Sequence, residues 1–395
     1  MGGVGTRRWS KFSKYLAEKG YRVHVLTIAY PYQDRVNWSR DVDHPDIVIH
    51  RLKSPYPVWL LKHGNRGFVS KKLYELVKLV LERKRFWLDN AQGWQKTMIP
   101  YARKLIREEG IKNVMVTAAP CSAAYYSTFL KIENPEINLL MDFRDSWNDE
   151  RWYEYGTFIK DFRQKEQSAT MEMASMYYAD KVIFTSDFFR ERNARVYKNE
   201  ASKFLTITNG FDRSDYKAGE KKPASGLSLV YLGSLLGGSE KGLDLVIRCV
   251  KELDDPILNE KLSIDVYGRT PANYRNPDPA ICTFKDFIAP EAVAETLSGY
   301  YAGLSILTEN RPYAIATKTY DYMAMGMPVL HVSQEGDLYR ILKEKGQYTA
   351  TYDPERIKEA LLKLRDDFRG ASVSEADYSE FDLVQLASRL EDLFE

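Results

Sequence analysis

A lysine and an aspartate three residues apart, Lys318 and Asp321, are the pair in this chain best suited to chemistry. They lie in Thr317-Lys318-Thr319-Tyr320-Asp321-Tyr322-Met323-Ala324-Met325-Gly326, between apolar runs at 303–307 and 327–331. The two runs read as buried strands. Thr317 suits an N-cap and Gly326 a helix end, which predicts a short helix over 318–325. Residues three apart share a helix face. A helix N-terminus just past the carboxyl end of a strand favours an anion, because its free N–H groups and its dipole point there. A cation for phosphate beside a carboxylate for sugar hydroxyls suits a nucleotide sugar. The plainer alternative is a buried helix in an ordinary α/β sheet.

Three further stretches carry candidate groups. Asp142-Phe143-Arg144-Asp145-Ser146-Trp147 follows an apolar run, so Arg144 and Asp145 are expected at a strand's carboxyl end. Arginine stays protonated and cannot act as a base. It can hold phosphate or a carboxylate, while Asp145 can accept hydroxyl protons or orient a sugar. Gly233-Ser234-Leu235-Leu236-Gly237-Gly238-Ser239-Glu240-Lys241-Gly242 lies between a predicted strand and a predicted helix. Gly2-Gly3-Val4-Gly5 precedes the first predicted helix. Such glycine loops let backbone N–H groups approach phosphate or sugar closely. Arg269, after Gly268, is a weaker candidate of the same kind, and Asn209-Gly210-Phe211-Asp212 reads as a hinge turn.

In their order along the chain, these stretches resemble the retaining GT-B glycosyltransferases of family 4. The 317–330 stretch resembles that family's donor signature, with Asp321 where a glutamate is usual and Tyr313 where a second acid is common. Asp142 to Trp147 resembles the Asp-Phe-Arg-Asp-x-Trp segment of one bacterial branch. Lys241-Gly242 matches the family's Lys-Gly, and Ser234 replaces an arginine. The resemblance implies two Rossmann-like domains facing across a crevice. It implies transfer, with retention, of a hexosyl or N-acetylhexosaminyl unit from a nucleotide-diphosphate sugar, a UDP-sugar first among donors. The acceptor it implies is a saccharide or lipid-linked molecule in bacterial surface-polysaccharide assembly. It places Gly2, Gly3, Gly233, Ser234, Lys241, Arg269, Lys318 and Asp321 at the donor, and Arg144 and Asp145 at the reacting centre. No cofactor and no metal are implied, so Lys241, Lys318 and Arg144 are expected to meet the leaving charge. In this family a first strand precedes the glycine loop. It is missing here, and the amino-terminal sheet is expected to lack that central member. Two alternatives stay open: a sugar-nucleotide 2-epimerase of the same fold, and a non-catalytic nucleotide-sugar-binding protein.

Composition limits the other classes. With 395 residues, 44% of them hydrophobic, the chain suits two or three packed domains. Cys121, Cys249 and Cys282 are scattered, which fits a reducing compartment rather than a disulfide framework or a zinc site. The five histidines, among them His24 and His331, lack metal-ligand spacing. No apolar run approaches the roughly 18 residues of a membrane span, and no signal peptide is visible, so a cytoplasmic location is expected. Net charge is +2, but residues 51–107 hold 14 Lys/Arg against 3 Asp/Glu, an excess of 11. Trp59, Leu60, Leu61, Phe68, Phe86, Trp87 and Trp94 interleave these charges. That mixture suits peripheral contact with an anionic membrane on its inner face. It equally suits a solvated helical face with buried aromatics. No nucleic-acid motif accompanies the charge.

The remaining chain alternates strands and helices, the pattern of a parallel α/β sheet. Strands are expected at 21–29, 47–51, 114–117, 138–143, 181–185 and 204–207, then at 227–232 and 262–267. Helices are expected near 69–86, 92–108, 123–130, 158–178, 187–196, 242–252, 290–297 and 383–394. Residues 1–216 form the predicted amino-terminal, acceptor-side domain. The polar, turn-rich stretch 217–226 is the predicted linker, and 227–380 is the nucleotide-sugar domain. The last helix, in 381–395, is expected to cross back to the first domain.

Overall fold

The computed structural model describes residues 4–29, 38–56, 68–84, 87–148, 161–216, 226–271, 273–309, 312–370 and 376–394. Gly2, Gly3 and residues 217–225 of the expected linker lie outside them, as do Trp59, Leu60, Leu61 and Phe86 of the basic stretch. The chain divides into two compact units, residues 1–208 with 387–395, and residues 209–386.

The first unit runs α1 (Val4–Glu18), β1 (Val23–Ile28), β2 (Ile47–Leu52), α2 (Phe68–Lys84), α3 (Gln95–Glu109), β3 (Asn113–Ala118), α4 (Cys121–Glu133), β4 (Asn138–Phe143), α5 (Phe162–Tyr178), β5 (Lys181–Phe184), α6 (Asp187–Val196) and β6 (Phe204–Thr206). All its strand pairs are parallel. They form two separate sets, β1-β2 and β3-β4-β5-β6. Every residue of β4 is buried. A parallel strand covered on both faces reads as an unbroken apolar run, and Leu139 to Phe143 is one apart from Asp142. The chain's last residues join this unit: Lys19 pairs with Glu391, and Asn138 donates to the Leu393 carbonyl at 2.8 Å.

The second unit runs β7 (Leu227–Leu232), α7 (Ser239–Leu253), α8 (Pro256–Lys261), β8 (Leu262–Tyr267), β9 (Cys282–Lys285), α9 (Val293–Leu297), β10 (Ala302–Ile306), α10 (Thr317–Ala324), β11 (Val329–Val332), α11 (Asp337–Glu344), β12 (Tyr348–Ala350), α12 (Pro354–Gly370) and the first four residues of α13 (Leu383–Glu391). Its six strands form one parallel sheet in the order β12-β11-β10-β7-β8-β9. The winding direction reverses between β7 and β10. In doubly wound sheets this is where loops part and leave a ligand crevice at the strands' carboxyl ends.

Two glycines explain the close packing there. Gly242 lets α7 approach β10, since a Cβ would lie 2.5 Å from Ile306 Cγ2. Beside it, Leu243, Val246, Ile247 and Val250 continue the buried stripe of α7 at helical spacing. At Gly303 a Cβ would lie 2.4 Å from the Tyr322 ring, so a glycine is what admits α10.

The structure also corrects several element boundaries. The helix expected at 290–297 is a 3-10 turn at Pro290–Ala292 followed by α9. Helix α4 begins at Cys121 and α7 at Ser239, each earlier than its apolar periodicity shows, because their first turns are polar or small.

Candidate functional site

The crevice expected at the switch point of a doubly wound sheet falls, in the second unit, at the divergence of β7 and β10. These strands pair only at Ala302↔Leu229 and Gly303↔Val230. Beyond that, Tyr322 from α10 bridges them. Its hydroxyl accepts from Leu232 N at 3.0 Å and donates toward the carbonyls of Val230 (3.0 Å) and Leu304 (3.3 Å). This stitch fixes α10 with its first turn at the crevice. The loops converge on it. A Cβ on Gly268 would lie 2.3 Å from Gly233 O, and Leu235 N donates to Arg269 O at 2.8 Å, so the loops after β7 and β8 touch. A Cβ on Gly238 would lie 3.4 Å from Thr308 Cγ2, which brings the loop after β10 to the same place. Gly233, Gly237 and Gly238 have φ of 106°, 69° and 104°, a region that side-chain-bearing residues rarely adopt.

Lys318 enters this crevice from α10. Its Nζ lies 3.0 Å from the centroid of the Tyr231 ring on β7. It forms no ion pair or hydrogen bond among the described residues. Solvent still reaches part of the residue, but the packing around its ammonium is dense. Burial therefore pushes its pKa well below the usual lysine value. A desolvated cation over an aromatic face gains about 2 kcal/mol. Removing an ammonium from water costs several kcal/mol, so burial wins. Behind it, Ser305 Oγ pairs with Thr319 Oγ1 at 3.2 Å, both fully buried. His331 on β11 is also fully buried, with Nδ1 3.2 Å from the Ser305 carbonyl and Nε2 without a partner. Burial lowers the His331 pKa to about 3, with Lys318 acting in the same direction. The imidazole is therefore neutral, and its Nδ1–H is the donor to Ser305. The Tyr231 hydroxyl is pushed up to about 12, again by burial first.

The other candidate residues occupy distinct settings. Asp321 is half-buried and accepts a hydrogen bond from the Tyr216 hydroxyl. Tyr313 is buried, and Glu309 is exposed. Lys241 lies exposed in the first turn of α7, and Ser234 and Arg269 are exposed on the touching loops. Glu240 accepts from Gly238 N at 3.0 Å, so one loop amide is already engaged. Neither Lys241 nor Arg269 has an ion pair among the described residues. Elsewhere in the unit cations are paired, as in Lys251–Asp278, Lys285–Asp265 and Arg365–Asp255.

Arg144 and Asp145 follow β4 in the first unit, both half-buried. Arg144 Nη2 donates to the Ala119 carbonyl at 3.1 Å, and Thr185 Oγ1 donates to the Arg144 carbonyl at 3.2 Å. Trp147 is an anchor: its Nε1 donates to Ser168 Oγ on α5 at 3.0 Å, and its ring stacks on Phe143. Asp142 faces the interior, paired with Arg8 at 3.0 Å and accepting from Trp9 Nε1 at 3.0 Å. Arg8 also donates to the carbonyls of Ile207 (2.9 Å) and Thr208. Half-buried Asp89 accepts from Ser122 N (2.8 Å) and Ala91 N (2.9 Å), and so caps α4 from outside the helix. Burial still raises its pKa. Cys121 beside it is likewise pushed well up, so its thiol is not a ready nucleophile.

Sequence reasoning did not single out Tyr231, Ser305, His331 or Tyr322. The only available signal was the polar Ser305 and His331 inside otherwise apolar strands.

This architecture, α/β with two Rossmann-like units built on parallel sheets, is the fold of GT-B glycosyltransferases. Among solved structures, the chain is similar over 99% of its length to sucrose-phosphate synthase from Thermosynechococcus elongatus, covering 92% of that chain (TM-score 0.62, 15% identity). It is similar over 99% to HepE from Anabaena in complex with UDP, covering 96% (TM-score 0.57, 13% identity). It is similar over its whole length to WaaG, a glycosyltransferase involved in lipopolysaccharide biosynthesis, covering 96% of that chain (TM-score 0.56, 13% identity). No family model matches the chain, and no curated protein matches it in sequence. No helix of the described residues is long and apolar enough to cross a membrane.

Proposed function

We propose that this protein is a glycosyltransferase that takes a sugar from a nucleotide-diphosphate donor, a UDP-sugar first. The observation that carries the reading is the crevice of the second unit. Lys241, Arg269 and Lys318 sit there on touching loops and one helix turn, without a carboxylate partner among the described residues. A diphosphate supplies the charge they lack, and fixed cations facing a leaving group stabilise its developing charge. HepE, of the same fold, has been solved with UDP and with UDP-glucose, which supports this donor class. In the proposal Asp321 takes a ribose hydroxyl, while Arg144 and Asp145 act at the reacting centre. Transfer proceeds with retention and without a metal. The test is thermal stabilisation across a panel of nucleotide sugars, followed by product analysis with and without a saccharide acceptor. Stabilisation is expected with UDP-sugars, since a ligand that binds only the folded state raises its melting temperature. Turnover of donor alone into an epimer overturns the transfer reading. Asp321→Ala is expected to weaken UDP binding by about 1–3 kcal/mol, the range for a hydrogen bond to a charged group. Unchanged affinity in a folded variant removes Asp321 from the site.

We also propose that the acceptor is lipid-linked, within surface-polysaccharide assembly, and that the protein works on the inner face of the membrane. Support comes from α2, where Leu73, Leu76 and Val80 are 62%, 58% and 47% exposed. Their spacing places them along one helix face, within the strongly basic stretch 51–107. Interfacial helices combine such apolar side chains with attraction to anionic lipid. Co-sedimentation with anionic vesicles is expected at low salt and is expected to weaken when Leu73, Leu76 and Val80 become serine. No co-sedimentation at low salt sinks the membrane proposal and leaves the donor site untouched.

A further inference from the structure

The crevice of the second unit holds an amine with no counter-ion among the described residues. Lys318 Nζ rests 3.0 Å from the Tyr231 ring centroid, and burial alone, with no charged neighbour, acts on its pKa. The elements around it carry the following groups, and α9, which packs on α10, adds only the exposed Glu295. Strand β7 contributes the Tyr231 phenol, which stays un-ionised at neutral pH. From β10 comes Ser305, whose hydroxyl is engaged with Thr319. Strand β11 contributes His331, fully buried, neutral and unpaired at Nε2. Within α10 the Asp321 carboxylate takes the Tyr216 hydroxyl. At the start of α7, Glu240 takes the Gly238 amide, and Lys241 adds a like charge. Past β10, Glu309 is exposed, and its charge acts on Tyr352. Each of these groups is neutral, committed elsewhere, exposed or cationic.

We propose that the donor's diphosphate supplies the missing counter-charge, and that its binding takes up a proton which comes to rest on Lys318. This rests on the donor-site reading above. Density around the amine favours its neutral form in the free protein, and phosphate oxygens favour the charged form in the complex. Between the depressed pKa of the free protein and the ordinary lysine range, the free amine is neutral and the bound one charged. Affinity therefore falls as pH rises through that window.

Calorimetric titration of the full chain with UDP tests this, at about pH 8.5 in two buffers of different ionisation enthalpy. At that pH an ordinary lysine stays charged and a terminal phosphate, with pKa about 6, is already ionised. The expected result is a buffer-dependent heat that reports net proton uptake. UDP affinity is expected to drop by up to about tenfold per pH unit through the window. Lys318→Arg, whose guanidinium stays charged, is expected to bind UDP with no uptake. Buffer-independent heat with pH-independent affinity in the wild-type protein overturns the inference, as does uptake that persists in Lys318→Arg. If that variant does not fold, the two wild-type measurements decide alone. Absence of UDP binding at every pH overturns the donor-site reading as well, and differs visibly from binding without a proton.

Discussion

The two units are built from the same kinds of parallel strand, yet they bury them differently. In the second unit β10 is buried at every residue, and β7 at all but one. In the first unit β4 is fully buried, whereas β1 has no buried residue and β3 has one. All are apolar enough for an interior place. What differs is neighbours: β7 and β10 each have a strand on both sides, while β1 and β3 each pair on one side only. Sequence makes a strand fit for burial, and the sheet around it decides whether burial happens. The candidate donor groups belong to the unit whose sheet is continuous. There one hydroxyl, that of Tyr322, closes the point where the sheet opens.

The largest expected effect tests what holds the first unit together. Arg8 and Asp142 are nearly inaccessible, and Arg8 also ties α1 to the end of β6. Arg8→Met leaves a buried carboxylate without its cation and is expected to cost about 3–5 kcal/mol. Urea unfolding followed by a probe in each unit checks this. An equal loss in both units shows that their stabilities are coupled, and no loss shows that Trp9 and Thr117 satisfy Asp142 without the cation.

A smaller loss is expected from Tyr322→Phe, which strands the Leu232 amide and the Val230 and Leu304 carbonyls. An unsatisfied buried group costs about 1–3 kcal/mol, and partial relaxation should leave a net of about 2–3 kcal/mol. UDP affinity should fall too, since α10 carries Lys318. Lost stability with intact affinity separates the stitch from the site.

The smallest effect is pH-dependent. The folded pKa of His331 is about 3, against about 6.5 for an exposed histidine. The unfolded chain therefore binds more protons between these values. Stability is complete above about 6.5 and falls with acidification, by at most about 1.4 kcal/mol per pH unit. Thermal melts of the wild-type protein and His331→Gln at about pH 7.5 and 5.5 check this, the variant showing the shallower slope. Parallel slopes would falsify the assignment to His331.

Much of this architecture is legible in the amino-acid order. The runs at 138–143, 227–232 and 262–267, and the helix at 187–196, end where turn residues or charges interrupt them. The structure has the same bounds. Strand β9, Cys-Thr-Phe-Lys, is too short and polar to read as a strand. Helix α11 is only eight residues long, with its apolar residues set among four charged ones. At the candidate site, charge and glycine spacing pointed to Lys318, Lys241 and the loop after β7. The Tyr231 face beneath Lys318 was not legible, because 87 residues separate the two and only the pairing of β7 with β10 brings them together. The neutrality of His331 was equally hidden, since burial belongs to the folded sheet and not to the residue.

The free edges of β1 and β3 bear on how the protein behaves in concentrated solution. Strands that end a sheet usually limit self-association by being short or charged. Here β6 and β12 have three residues each, and β9 has four, ending in Lys285. By contrast β1 (Val-His-Val-Leu-Thr-Ile) and β3 (Asn-Val-Met-Val-Thr-Ala) have six residues each and no Lys, Arg, Asp or Glu. Rows of unpaired amides and carbonyls on such strands are templates for intermolecular β-pairing. Among the described residues, the edges most open to such pairing are therefore in the first unit, on two strands remote in sequence from Lys241, Arg269, Lys318 and Asp321.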